Sequence, residues 1–350
     1  MVVLDPGRLT LADVTKRQTE YGDIADFANL LSQVNGMDSD MPHVESSSQW
    51  SDQTTVVTKL PTTSLRALNQ GTVSTKGATE QNTESMCIME AWSEVDKAIA
   101  DAGGNARALR ASEAELMVEA MSQDWHRYMI YGDRTVDAKQ INGFAVRTND
   151  RSTSAPNRSH VIDAGGTVGD TGALTSAFLV GWSPNTVCGI YPKGQVMGLS
   201  RRDFGEQVSE NVNAVTGAKM VVYREWFRRM TGLRVKDWRF LVRVCNIKVS
   251  DFLTLTGTQA PATYSTLVEK MIEAEGAVPW RSNVRGVWYV NRAIFTGLKK
   301  LAYATNKISG ALQVSQAAEL RGDPMSGIEF MGRSIRCIDQ IVNTEAFVAA

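Results

Sequence analysis

The sequence predicts an α+β protein assembled from a polar hairpin, one long helix and a mixed strand–helix region. Three observations carry that expectation. Between Asn105 and Tyr131, Leu109, Leu116, Met117, Ala120, Met121, Trp125, Tyr128 and Met129 recur at spacings of three, four and seven, which is one helical face. Between residues 219 and 249, apolar and polar residues alternate, as in strands with one covered face. Residues 51–85 read as two β-branched, polar strands with too few large apolar side chains to form a core alone.

Composition sets the outer limits. The chain has 350 residues, 43% hydrophobic and 21% charged, which suits two domains or one large one and excludes wholesale disorder. Cys87, Cys188, Cys245 and Cys337 lie far apart with no CxxC pair, so neither a disulfide framework nor a zinc site is expected. They read as buried thiols of a reducing compartment. Asp5 and Pro6 interrupt the first apolar residues and no basic region precedes them, so no signal peptide is expected. No stretch approaches the roughly 20 apolar residues that span a bilayer.

The elements follow in order. Residues 1–50 are acidic and weakly patterned. Ile24, Phe27, Leu30 and Leu31 have helical spacing within Leu11–Leu31, ended by Asn35 and Gly36. The remainder is turn-rich, so this segment is expected to be an extended arm. Its Phe27, Leu30, Leu31, Val34 and Trp50 need a surface elsewhere. Residues 54–60 read as a strand stopped by Pro61, residues 65–71 as an irregular tip, and residues 72–83 as the returning strand. Residues 90–100 have helical spacing at Trp92, Val95 and Ile99, closed by Gly103 and Gly104. The long helix spans about 105–131, with Asn105 as its N-cap and Gly132 as its stop. At 1.5 Å per residue it is roughly 40 Å long, the length of a spine.

The polar stretch 147–175 is the expected domain boundary. Beyond it, residues 178–182 and 186–191 read as buried strands. Residues 219–230 and 233–249 read as a long hairpin turning at Thr231 and Gly232. Trp238, Phe240, Val242 and Val244 alternate there with Arg239, Leu241 and Arg243, which suggests aromatics inside and arginines on a wet face. Residues 263–275 form an expected helix with Leu267, Val268, Met271 and Ile272 inward. A strand at 287–290, a helix at 291–303 and a strand–turn–strand at 328–342, turning at Gly332, complete the chain.

Charge is unevenly spread. Residues 1–150 hold 22 acidic and 13 basic side chains, a net of −9; residues 151–350 hold 16 and 24, a net of +8. The whole chain sums to −1, which excludes a nucleic-acid binder driven by bulk charge. Either two separately solvated surfaces or an acidic part that meets a basic part of a neighbour fits this split. The coreless acidic arm and hairpin favour contact between neighbours. Residues 224–248 carry a net of +6 with Trp226, Phe227, Trp238 and Phe240 interleaved. A wet sheet face or a subunit interface accounts for them better than phosphate binding does.

Enzyme signatures are weak. His43, His126 and His160 form no HxxxH pair. Gly198-Leu199-Ser200-Arg201-Arg202 lacks the second glycine of a nucleophile elbow. Gly165–Gly172 is glycine-rich, but no Lys-Ser/Thr follows it. Glu113 and Glu115 read as a solvated helix face rather than a carboxylate dyad. No catalytic residue, cofactor or metal ligand is therefore assigned, and no enzymatic activity is expected.

The order of arm, coreless hairpin, spine helix and mixed α/β region resembles the major capsid protein of tailed double-stranded DNA bacteriophages, the Hong Kong ninety-seven type of shell fold. Leu60-Pro61 with Leu65-Arg66-Ala67-Leu68-Asn69-Gln70-Gly71 resembles the extended loop of one subfamily. Glu94-Val95-Asp96-Lys97 and Ile130-Tyr131-Gly132-Asp133 resemble the start and end of its spine region. Gly327-Ile328 through Arg336-Cys337-Ile338-Asp339-Gln340-Ile341 and Asn343-Thr344-Glu345-Ala346 resemble its closing segment. The similarity spans about residues 50–350.

The resemblance implies a structural protein of the virion, forming pentamers and hexamers that tile an icosahedral shell around double-stranded DNA, without sequence-specific DNA binding or a membrane. It divides the chain into an N-terminal arm (1–50), an extended loop (51–88), a peripheral domain (89–165 and 328–350) and an axial domain (166–327). It implies Lys59, Arg66, Asn69 and Lys76 as inter-subunit contacts, and Leu116, Met121, Trp125 and Tyr128 as the spine-helix core. Portal, scaffolding and decoration proteins are the implied partners, and a host bacterial cytoplasm the site of synthesis. Some relatives cross-link the loop through a Lys–Asn isopeptide bond. Lys59, Lys76 and Asn69 have no assignable partner and acid here, so that chemistry is not carried over. An encapsulin-type compartment shares the fold, and a soluble oligomeric enzyme is the alternative from another class.

Overall fold

The computed structural model describes residues 33, 35–102, 105–155, 157–210, 218–253, 262–303, 312–314 and 328–349. The arm helix expected within residues 11–31, its Phe27, Leu30 and Leu31, together with Val34 and the stop at Gly103 and Gly104, lie outside the described residues.

The N-terminal part of the described chain forms β1 (His43–Glu45), β2 (Ser51–Lys59) and β3 (Ala78–Asp96), then α1 (Lys97–Ala102), α2 (Ala106–Tyr131) and α3 (Phe144–Arg147). The middle forms β4 (Val161–Asp163), β5 (Leu174–Trp182), β6 (Val187–Tyr191), β7 (Leu199–Glu210), β8 (Lys219–Val235) and β9 (Leu241–Lys248). After α4 (Ser250–Leu253) and α5 (Ala262–Ala277) come β10 (Arg285–Val290), α6 (Arg292–Tyr303), β11 (Leu312–Val314), β12 (Ile328–Phe330) and β13 (Arg333–Cys337).

Two compact units result. Of the described residues, the first holds Gln33, 88–125 and 198–230, and the second holds 35–87, 126–197 and 231–349. In the first unit, β7 and β8 pair antiparallel from Leu199 opposite Arg229 to Glu210 opposite Lys219. Helix α2 lays Ala114 and Met121 on Phe227, with Met89, Ala91 and Met117 around them. Leu109 closes a second cluster with Val95 and Ala100. The Asn105 side chain accepts a hydrogen bond from the Ala108 N–H at 3.1 Å, as its expected capping role requires.

In the second unit, β10 lies between β13, parallel to it, and β5, antiparallel to it. Strand β5 also pairs with β9, and β9 with β4. β6 pairs with the end of β8 on one side and with β1 on the other. Every residue of β5 is buried, because both of its faces are covered. Helix α5 packs on β9, and α6 on β13. Phe178, Val242, Trp288, Tyr289 and Phe330 are fully buried in this core. Each such side chain contributes about 1.5–3 kcal/mol by leaving water. The Trp182 indole N–H donates to the Tyr289 hydroxyl at 2.8 Å, so neither polar group is orphaned. The turn at Gly332 is a two-residue hairpin, with Met331 (φ 48°) and Gly332 (φ 77°) both left-handed.

Four local expectations are corrected. Residues 90–96 belong to β3, not to a helix. The helical spacing of Trp92 and Val95 is incidental: Met89, Ala91 and Val95 face the α2 clusters while Trp92 is half-exposed. The chain does not turn at Thr231 and Gly232, because β8 runs through them to Val235. Gly232 is there for space, since a Cβ would meet Met86 Cγ at 2.9 Å and Ser85 O at 3.0 Å. Arg243 is not on a wet face but is 4% exposed in the core. Ile272 points outward, while Leu267, Val268 and Met271 are buried.

Candidate assembly surfaces

The hairpin of β2 and β3 pairs in register from Ser51 opposite Ser85 to Val57 opposite Thr79, with a bulge before Lys59. Asp52, Thr54 and Glu84 near its base are buried, and the strands become exposed farther out. Residues 60–77 between them form no regular structure beyond a tight turn. That loop is held by local bonds alone among those described: Thr75 Oγ1–H to Thr62 O at 2.7 Å, Gln70 N–H to Ala67 O at 3.3 Å, and Arg66 Nε–H to Ala67 O at 3.4 Å. Asn69 sits at its tip with φ 64°, a left-handed conformation that asparagine tolerates.

Lys59, Arg66, Asn69 and Lys76 are all exposed. So are four large apolar side chains: Leu60 (77%), Leu65 (102%), Leu68 (94%) and Val73 (83%). The contacts expected from the sequence are polar, and these apolar side chains stand on the same segment. The signal was present in their number on a segment with no core. Four such groups left in water on one loop present a surface to be covered.

The base of the hairpin is anchored by charge. Arg147 grips Glu84 with two parallel hydrogen bonds of 2.7 and 2.6 Å. Arg234 reaches Asp52 at 3.0 Å. Burial opposes the Arg234 charge, but the hydrogen bond it donates to Asp52, together with the neighbouring negative charge, more than offsets this and its pKa is raised.

The basic strands separate into two environments. In the first unit, Trp92 stacks between Phe204 and Trp226, each ring centroid 5.9 Å away. Arg202 lies 4.8 Å over Phe204, Arg228 4.8 Å over Trp226, and Arg224 5.9 Å over Trp92 while pairing with Glu94 at 2.5 Å. Trp92 is 49% exposed, so this face combines arginine with aromatic surface, the composition of an interface centre. The opposite face is inward: Glu225 is held by Arg110 and Arg201, each at 2.6 Å.

Of the spine positions, Trp125 is fully buried beneath the Arg229 guanidinium at 4.8 Å, and Met121 is 6% exposed. Leu116 and Tyr128 are only partly covered, and Arg127 lies 5.1 Å over the Tyr128 ring. No helix among the described residues is long and apolar enough to cross a membrane.

Comparison with known proteins gives this geometry its context. A chain of a near-atomic structure of bacteriophage Epsilon15 is similar over 100% of both chains, with 27% identity and a TM-score of 0.74. A bacteriophage JBD30 capsid chain is 11% identical over 90% of this chain and 93% of that one, with a TM-score of 0.47. An encapsulin complex from Synechococcus elongatus gives 12% identity over 72% of this chain and 99% of that one, with a TM-score of 0.43. Among curated proteins, none matches. The family profile described as major capsid protein GP7 matches residues 19–349. The chain therefore folds as a tailed-phage capsid subunit, and its place is in the virion, repeated many times in the shell. It belongs to the major capsid protein GP7 family.

Proposed function

We propose that the chain tiles an icosahedral shell of pentamers and hexamers around double-stranded DNA, and that the 60–77 loop is the part each subunit lays on its neighbour. The observation that carries this is the cluster of Leu60, Leu65, Leu68 and Val73, more than three-quarters exposed on a segment without a core. Leaving them in water costs about 1.5–3 kcal/mol per side chain relative to burial. A neighbouring copy is present wherever the shell is, so it is the economical cover. Lys59, Arg66, Asn69 and Lys76, exposed on the same segment, provide the polar rim of that contact.

In this reading residues 1–50 are an arm, 51–88 an extended loop, 89–165 with 328–350 a peripheral domain, and 166–327 an axial domain around capsomer centres. Portal, scaffolding and decoration proteins complete the particle, which is made in a bacterial cytoplasm. The subunit acts by assembly and performs no catalysis.

The test is native mass spectrometry of the purified chain and of Leu65→Ser/Leu68→Ser. The parent is expected to form rings of five and six. The variant, altered only at exposed positions, is expected to keep its thermal midpoint and remain monomeric. Rings of unchanged abundance in the variant would refute the role of the loop.

A further inference from the structure

Asp52 and Glu84 stand directly opposite one another in the β2–β3 register. They are 2% and 6% exposed. Like charges at facing positions push an antiparallel pair apart, and more strongly away from water. Each carboxylate is offset by an arginine from a different stretch of chain. Arg147, the last residue of α3, holds Glu84 through both carboxylate oxygens. Arg234, near the end of β8, holds Asp52. Both arginines are themselves fixed: Arg147 Nε–H donates to Asn142 O at 3.0 Å, and Arg234 Nη2–H to Pro184 O at 2.7 Å.

Immediately outward, the same face of the hairpin borders open space. Val56, Thr58, Glu80 and Asn82 line one side of a groove of about 410 Å³, and Lys236 and Trp238 line the other. The hairpin is thus pinned to the body of its unit at one level by ion pairs, with room to move just beyond. On the same face, Thr54 and Asn82 follow the pins towards the tip, and Met86 of β3 lies on the base side against Gly232. A buried ion pair adds little net stability over apolar packing, yet losing one partner is strongly unfavourable. That asymmetry suits a catch better than a glue.

We propose that Asp52–Arg234 and Glu84–Arg147 are a two-pair latch that sets the inclination of the extended hairpin, and that breaking either pair lets the hairpin swing about its base across the groove. The repulsion between the two carboxylates is the spring; the arginines hold it closed.

The test uses unassembled full-length chains, so its outcome is independent of whether shells form. Spin labels are placed at Thr79→Cys on the hairpin and Thr153→Cys on the body, both exposed positions; the four native thiols are buried and take no label. Pulsed electron resonance should give one narrow distance in the parent. Arg147→Gln should broaden it or add a second distance. Adding Glu84→Gln to Arg147→Gln should restore the single narrow distance, because the repulsion is gone. Should Arg147→Gln not fold, Arg147→Lys, which keeps the charge but loses the paired hydrogen bonds, must show the broadening instead. An unchanged distribution in the arginine variant, or a double variant as broad as the single one, overturns the latch.

Discussion

Arg243 and Glu345 are 102 residues apart in sequence and meet at 2.9 Å in the core of the second unit. Their side chains are 4% and 5% exposed. The Arg243 guanidinium also donates to Ser176 Oγ and to the carbonyls of Ala145 and Thr148. Glu345 accepts from the Tyr131 and Ser176 hydroxyls, both at 2.5 Å. Burial, followed by the Glu345 charge, drives the Tyr131 pKa upward, so the phenol stays a donor. The pair ties the closing segment of the chain to the end of the spine helix. Arg243→Ala should cost about 3–5 kcal/mol, the range for stranding one partner of a buried pair. Equilibrium urea unfolding measures it. A loss below about 1 kcal/mol, the worth of a surface pair, would mean that the pair is not buried in solution.

The thiols give a pH signature. Cys87, Cys188, Cys245 and Cys337 are buried thiols. Burial pushes the thiols of Cys245 and Cys337 up to about 11, and raises that of Cys188. A raised acid pKa favours the neutral form in the fold. The associated stability is complete below the unfolded value of about 8.5 and is lost as pH rises towards the folded value. Stability should therefore be level up to about pH 8 and fall between about pH 9 and 11, less steeply in Cys245→Ala. An equal fall in that variant would assign the effect to other groups. At pH 8 a thiol reagent should react with none of the four until the chain is unfolded.

The division of charge makes a separate prediction. With −9 on residues 1–150 and +8 on residues 151–350, contacts between acidic and basic parts of neighbours should weaken as salt rises. Ring formation by purified subunits should decline from ~0.05 to ~1 M salt, where the screening length falls to about 3 Å. Arg66→Glu should reduce it further while leaving the subunit folded. Indifference to salt would remove the electrostatic part of the account.

Much of the fold is legible in the residues, and the failures have physical causes. Helix α2 could be read from the spacing of Leu109, Met121, Trp125 and Met129, which are buried, and from the cap at Asn105, although Leu116 and Tyr128 of the expected face are only partly covered and Ala120 is exposed. The turn at Gly332 could be read because it joins two short apolar strands. The β7–β8 hairpin was hidden because β7 is almost wholly exposed and has no apolar alternation to detect. Thr231 and Gly232 imitate a turn, while the glycine serves close approach to Ser85 and Met86. Arg243 imitates a surface residue, and its burial depends on the distant Glu345, on Ser176 and on the Ala145 and Thr148 carbonyls. The errors at Gly232 and Arg243 concern partners that are far away in sequence. The loop leaves a trace in the sequence for the opposite reason: in the proposed assembly another copy of the chain would complete it, and the apolar surface at Leu65 and Leu68 is what that copy would cover.

The central claim is that this chain builds a closed shell. Electron microscopy of the expressed, purified chain tests that most directly. The account predicts closed angular particles hundreds of ångströms across, with rings of five and six subunits visible in their surface. A small discrete oligomer under every condition, with the loop folded onto its own subunit, would contradict it.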